Sequence, residues 1–181
     1  MTASAPWLGL TIGAYAIGVT RQRLSGRHPL VNPTLITIGI VAAALIGFFA
    51  GSLTAILSSL AVGWPLGLSH TELLSLAPKS ATAAVSMEIA AKNGGTPAVT
   101  AVLTILTGVT GAIVAPFILN WLRIERADAR GFSMGLTSHG IATARAFQES
   151  ETAGAFAGLA MALNAVATAI LAPVIFRLLL H

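Results

Sequence analysis

Two short stretches gather side chains that can hold an anion. In the first, Pro78 favours the start of a helix, and Ser80 or Thr82 is placed to cap it. The first amides of that helix carry partial positive charge, and Lys79 adds a full charge at the same end. The second stretch sets Ser138, His139, Thr143 and Arg145 around Gly140, where a helix can begin or break. Thr143 shares a helical face with His139 four residues earlier. Together these groups suit a small carboxylate: cations for its charge, hydroxyls for its oxygens.

Each residue also has a plainer reading. Lys79 can snorkel to a membrane surface. His139 can bind a carboxylate, relay a proton, or satisfy a backbone carbonyl. Glu88 reads as counter-ion to Arg145 or as a proton carrier, but it also lies close to the polar run Lys92 to Gly95. Gly131 to Gly135 matches G-x-S-x-G only in letters, with no strand pattern before it. His28, His70 and His181 are scattered, and cysteine is absent. No metal site, no cofactor and no enzyme activity is expected.

The elements that position these stretches follow from composition. Of 181 residues, 55% are hydrophobic and 9% charged, and mean hydropathy is +0.85. A soluble domain carries about 25% charged residues, so lipid is the expected solvent. The net charge of +4 comes from short clusters between apolar runs, such as Arg123 to Arg130. That pattern fits membrane-flanking loops and argues against a nucleic-acid partner.

Apolar runs cover 6–19, 34–62, 97–122 and 153–180, and the polar-interrupted segments 73–95 and 131–150 lie between them. A crossing needs about 20 residues. The expectation is a single all-α polytopic membrane domain, with the first run retained as a span and its N-terminus outside. Run 34–62 exceeds one crossing, so a tilt or a bend near Gly47 and Gly51 is expected. Sliding the chain against itself by 57 residues sets Ala115-Pro116 on Ala172-Pro173, Ser80 on Thr137 and Glu88 on Arg145. Paired interrupted segments at matching positions point to a transporter binding site. With Arg21 to Arg27 inside, Arg123, Arg126 and Arg130 stay inside only if segment 73–95 enters and returns. The break near Pro78 to Ser80 and the break near His139-Gly140 are expected to meet within the apolar slab.

The stretches "LLSLAPKSATAAVSMEIAAKNGGTPAVTAVLTILTGVTGA", "ARGFSMGLTSHGIATARAFQE" and "GAFAGLAMALNAVATAILAP" resemble the LrgB/CidB family of antiholin-like bacterial membrane proteins. That family also includes the plastidic glycolate/glycerate translocator. The resemblance is dense from Gly51 to Pro173 and rests most on the Pro-Lys-Ser and Ser-His-Gly-Ile-Ala-Thr-Ala-Arg elements. It implies a multi-pass protein of the bacterial inner membrane that carries acids such as glycolate, glycerate or pyruvate. The other implied role is a regulator of murein hydrolase export and cell lysis without its own substrate. A second copy or an LrgA/CidA-like membrane protein is the implied partner. Ile40 runs almost directly into Gly51, where the family carries about two more crossings' worth of chain, so run 34–62 reads as two fused half-spans.

Overall fold

A computed structural model describes residues 12–17, 19–21 and 33–180; between 33 and 44 it describes the side chains of 34, 38 and 42 alone. No strand occurs among the described residues. The chain divides into two compact units, Met1–Gly47 and Phe48–His181. In the first, residues 12–17 and 19–21 are helical. The rest of the expected 6–19 span, and Arg23 and Arg27, lie outside the described residues.

Six helices follow: α1 (Pro33–Gly63), α2 (His70–Leu76), α3 (Ala83–Asn93), α4 (Pro97–Trp121), α5 (Ala127–Glu149) and α6 (Glu151–Leu179). Helical assignment continues through Gly47 and Gly51 without interruption. Among the described residues, three stretches are long and apolar enough to cross a membrane: Leu45–Gly63, Pro97–Trp121 and Glu151–Leu179. This is an all-α membrane protein.

The two polar segments are helical hairpins. α2 opens with a capping box between Ser69 and Glu72, whose hydrogen bonds from Ser69 hold the Glu72 carboxyl below its usual pKa. It ends at Leu76, just before Pro78, which cannot continue the amide ladder. After turns at 77–82, α3 runs 11 residues to Gly94, which adopts φ 88° as a left-handed cap. The chain then packs against the end of α2. The Thr96 amide donates to Ser75 Oγ at 2.7 Å, and Thr100 Oγ1 donates to the Ser75 carbonyl at 3.0 Å.

α5 reverses more sharply. Ser138 (φ −138°, ψ 21°) and His139 (φ 44°, ψ −140°) leave helical geometry, and Gly140 resumes it. The expected break is therefore present, but its pivot is Ser138-His139 and not the glycine. A straight helix would separate Arg130 and Glu149 by about 28 Å. Instead they form an ion pair at 2.7 Å, and Arg130 also donates to Asn120 Oδ1 and the Ile124 carbonyl. One guanidinium thus ties both limbs of the hairpin to the end of α4.

The hairpins enter from opposite ends of the second unit. His70, at the mouth of the first, lies 3.1 Å from the Leu180 carbonyl, at the end of α6. Arg130 closes the mouth of the second beside the end of α4. Thus α4 runs from the first end to the second, and α6 runs back. The 57-residue offset carries α3 onto 140–150 and α4 onto 154–178, close to the observed return limb of α5 and α6. The unit is built from two inverted copies of one hairpin-plus-span motif.

Glycines set the closest approaches. A Cβ on Gly131 or Gly135 would collide with the backbone of Ala153 or Ala157. Those pairings advance in parallel, as required if the first limb of α5 and α6 enter from the same end. Gly140, in contrast, has only Met161 Sδ near a built Cβ, at 3.8 Å. Gly135→Ala is therefore expected to destabilise the protein by about 1–3 kcal/mol, whereas Gly140→Ala stays within about 0.5 kcal/mol of the parent. Unfolding midpoints in detergent check this; equal losses at both positions would contradict the parallel packing.

Candidate functional site

The two hairpin tips line one cavity of about 750 Å³ in the second unit, open on the side where Leu106, Val114 and Ile118 of α4 are exposed. The first tip contributes Leu76, Lys79 and Ser80; the second contributes Leu136, Thr137 and Ser138. α4 forms a long wall from Leu103 to Ile118, and α1 forms the facing wall with Gly51, Thr54, Ala55 and Ser58. Both breaks thus line the same cavity. Gly111 makes it possible: a Cβ there would strike Ser138 Oγ.

Among the described residues, Lys79 is the lone charged residue lining this cavity. No carboxylate lies within ion-pair distance of it among the described residues. The same cavity is lined by the hydroxyl residues Thr54, Ser58, Ser80, Thr107, Thr110, Thr137 and Ser138. A cation without a fixed counter-ion, beside several hydroxyls, is an arrangement that favours an incoming anion.

Each tip is held by the span of the opposite half. Asn164 of α6, fully buried, donates from Nδ2 to the Ser80 carbonyl at 2.8 Å. Its Oδ1 accepts from Ser52 of α1 at 2.6 Å and from Thr168 at 3.3 Å. Ser86 Oγ satisfies a second tip carbonyl, that of Pro78, at 2.7 Å. In the other half, His139 Nε2 lies 2.7 Å from the Thr104 carbonyl of α4. That acceptor requires the proton to sit on Nε2. Thr143 Oγ1 donates to the His139 carbonyl at 2.8 Å.

The residues singled out from sequence therefore separate. Lys79, Ser80 and Ser138 meet at the cavity. His139 and Thr143 brace the second tip. Thr82 occupies the N-cap of α3 without a side-chain cap hydrogen bond, and it does not line the cavity. Gly140 starts the return limb. Glu88 does not pair with Arg145. It bonds Lys92 at 3.0 Å one turn along its own helix, and Arg145 donates to Gln148 at 3.0 Å. Both are exposed, and neither lines the cavity. The physical reason is the inversion: residues at matching positions sit on return limbs entering from opposite ends.

Asn164 was not singled out by sequence reasoning. Its signal was present, since a lone amide midway along an apolar span is costly unless it is paired. Arg130 was read as part of a flanking cluster, and its reach to Glu149 appears only once α5 folds back.

The sequence model of the LrgB-like family matches residues 41–178. The protein YxaC of Bacillus subtilis is 30% identical over 169 residues, covering 93% of this chain and 70% of that one. A Haemophilus influenzae protein is 31% identical, covering 99% of this chain and 74% of its own length. The Holin-like protein CidB of Staphylococcus aureus is 37% identical over 112 residues, which are 62% of this chain and 49% of that one. The chain thus spans between half and three quarters of these relatives. No solved structure matches.

Two variants test the tips. Asn164→Leu leaves the Ser80 carbonyl without its donor and is expected to cost about 1–3 kcal/mol. At His139, Ala and Gly both lose the ring contact, but only Gly tolerates φ 44°. His139→Gly should therefore exceed His139→Ala in stability by about 1 kcal/mol or more. Folded yield and unfolding midpoint in detergent are the readouts. The reverse order at His139, or parental stability for Asn164→Leu, would contradict the tip geometry.

Proposed function

From the premise that this chain belongs to the LrgB-like family, we propose that it is a carrier of small organic acids, with no enzymatic step, in a bacterial inner membrane. The observation that carries this reading is the unpaired Lys79 at the point where two inverted hairpins open onto one cavity. Half-length helices that meet at mid-depth, each followed by a full span, are a recurrent plan for binding a solute at the bilayer midplane. In this reading both hairpins are re-entrant: α3 and each limb of α5 are about 15–18 Å long, roughly half a hydrocarbon core, and α2 is about 10 Å.

Lys79 supplies charge to the carboxylate, and Ser80 and Ser138 supply hydrogen bonds. Thr82 and Gly140 begin the two return limbs, whose amides lie near the tips. His139 and Thr143 act as positioning residues for the second tip. Arg145 and Glu88 take no direct part. A second copy, or an LrgA/CidA-like membrane protein, is the proposed partner.

The second reading comes from the printed name of the Staphylococcus relatives, holin-like. It makes the chain an antiholin-like regulator of cell lysis with no substrate of its own.

Flux into proteoliposomes separates the two. Uptake of labelled glycolate or lactate by the parent should fall at least tenfold in Lys79→Met and recover in part in Lys79→Arg, at equal folded yield. Parent protein that moves no acid under any imposed gradient, yet alters lysis of its host when expressed, would replace the carrier with the regulator.

A further inference from the structure

The cavity is larger and greasier than a two- or three-carbon acid needs. Its volume of about 750 Å³ falls in the range of roughly 300–1,000 Å³ typical of pockets that bury drug-sized ligands. Its polarity is also uneven along its length. The hydroxyls of Thr107 and Thr110 on α4 stand in the stretch where Lys79, Ser80 and Ser138 converge. From Val114 to Ile118, every α4 residue lining the cavity is apolar; Gly51 and Leu136 also line it, and Thr137 beside Leu136 adds one hydroxyl. Gly51 and Leu136 are in direct contact, because a Cβ on Gly51 would collide with the leucine side chain. No second cation lines that half.

An acid seated with its carboxylate at Lys79 therefore directs the rest of its body along an apolar wall. Along Val114, Ile118 and Leu136, hydroxyls on the distal carbons would find few partners beyond Thr137, and a second carboxylate would find no cation among the described residues. Burying such groups unpaired is unfavourable. Methylenes placed there gain from leaving water.

We infer that the cavity selects amphipathic monocarboxylates, acids with one carboxylate at the Lys79 pole and an apolar tail of several carbons, over dicarboxylates and polyhydroxy acids. The inference rests on the carrier reading above and names the substrate class of that same site.

The test measures binding of acetate, butyrate, hexanoate and succinate to the full chain in nanodiscs, with Lys79→Met and Ile118→Trp in parallel. Affinity should rise about two- to fourfold for each added methylene, and succinate should bind at least tenfold more weakly than butyrate. Ile118→Trp fills the apolar half without touching the charged pole. It should reduce hexanoate binding at least tenfold and leave acetate within twofold. A flat series, or succinate equal to butyrate, with binding still dependent on Lys79, would overturn the selectivity while the carboxylate site stands. Acids that bind equally to parent and Lys79→Met, or to neither, would overturn both.

Discussion

A broken helix in an apolar medium exposes carbonyls that water cannot reach, and the second unit is organised around satisfying them. The Ser80 carbonyl is the sharpest case. It lies at the first tip, outside any helical ladder, and its side-chain donor is Asn164 on the last span. The same amide accepts from Ser52 and Thr168. One buried side chain therefore joins α1, the first tip and α6. In hydrocarbon each unsatisfied backbone group costs several kcal/mol, so the tip and the spans that brace it stand or fall together.

The second tip meets the same constraint by another chemistry. There the backbone turns within two residues, and His139 takes a conformation that L side chains rarely adopt. Its ring reaches across to the Thr104 carbonyl, and Thr143 returns a hydroxyl to its own carbonyl. Thr104 and Asn164 thus do equivalent work in the two halves: each span holds the hairpin tip of the other. This crossed bracing is what brings Lys79, Ser80 and Ser138 to one cavity. It also explains the glycines: α4 must be bare at Gly108 and Gly111 for His139 and Ser138 to lie against it.

Much of this architecture was legible in the sequence. Low charge and long apolar runs announced a helical membrane protein, and the two polar-interrupted segments marked both breaks. The 57-residue offset aligned α3 with the return limb of α5, and α4 with α6. Pro78 located the first break because proline ends an amide ladder. The second break falls where His139-Gly140 marks it, but the positive φ sits on His139, held by tertiary contacts, and not on the glycine. Glu88 and Arg145 match in sequence, but because the halves are inverted the matching residues diverge in space, each bonding within its own helix. Asn164 and Arg130 were passed over because their roles depend on partners 84 and 19 residues away. Local pattern carries no trace of such partners.

The reversal of α5 is the feature on which the inverted arrangement depends most directly. The chain contains no cysteine, so a doubly labelled Ala129→Cys, Gln148→Cys variant reports one distance cleanly and leaves the Arg130–Glu149 pair intact. A hairpin places the labelled backbones about one helix–helix spacing apart, roughly 8–10 Å. An unbroken helix would place them about 28 Å apart. Continuous-wave EPR in lipid bilayers should show strong dipolar broadening. A spectrum without broadening, with a pulsed-EPR distance near the longer value, would mean that α5 crosses straight through and that the two tips do not share a cavity.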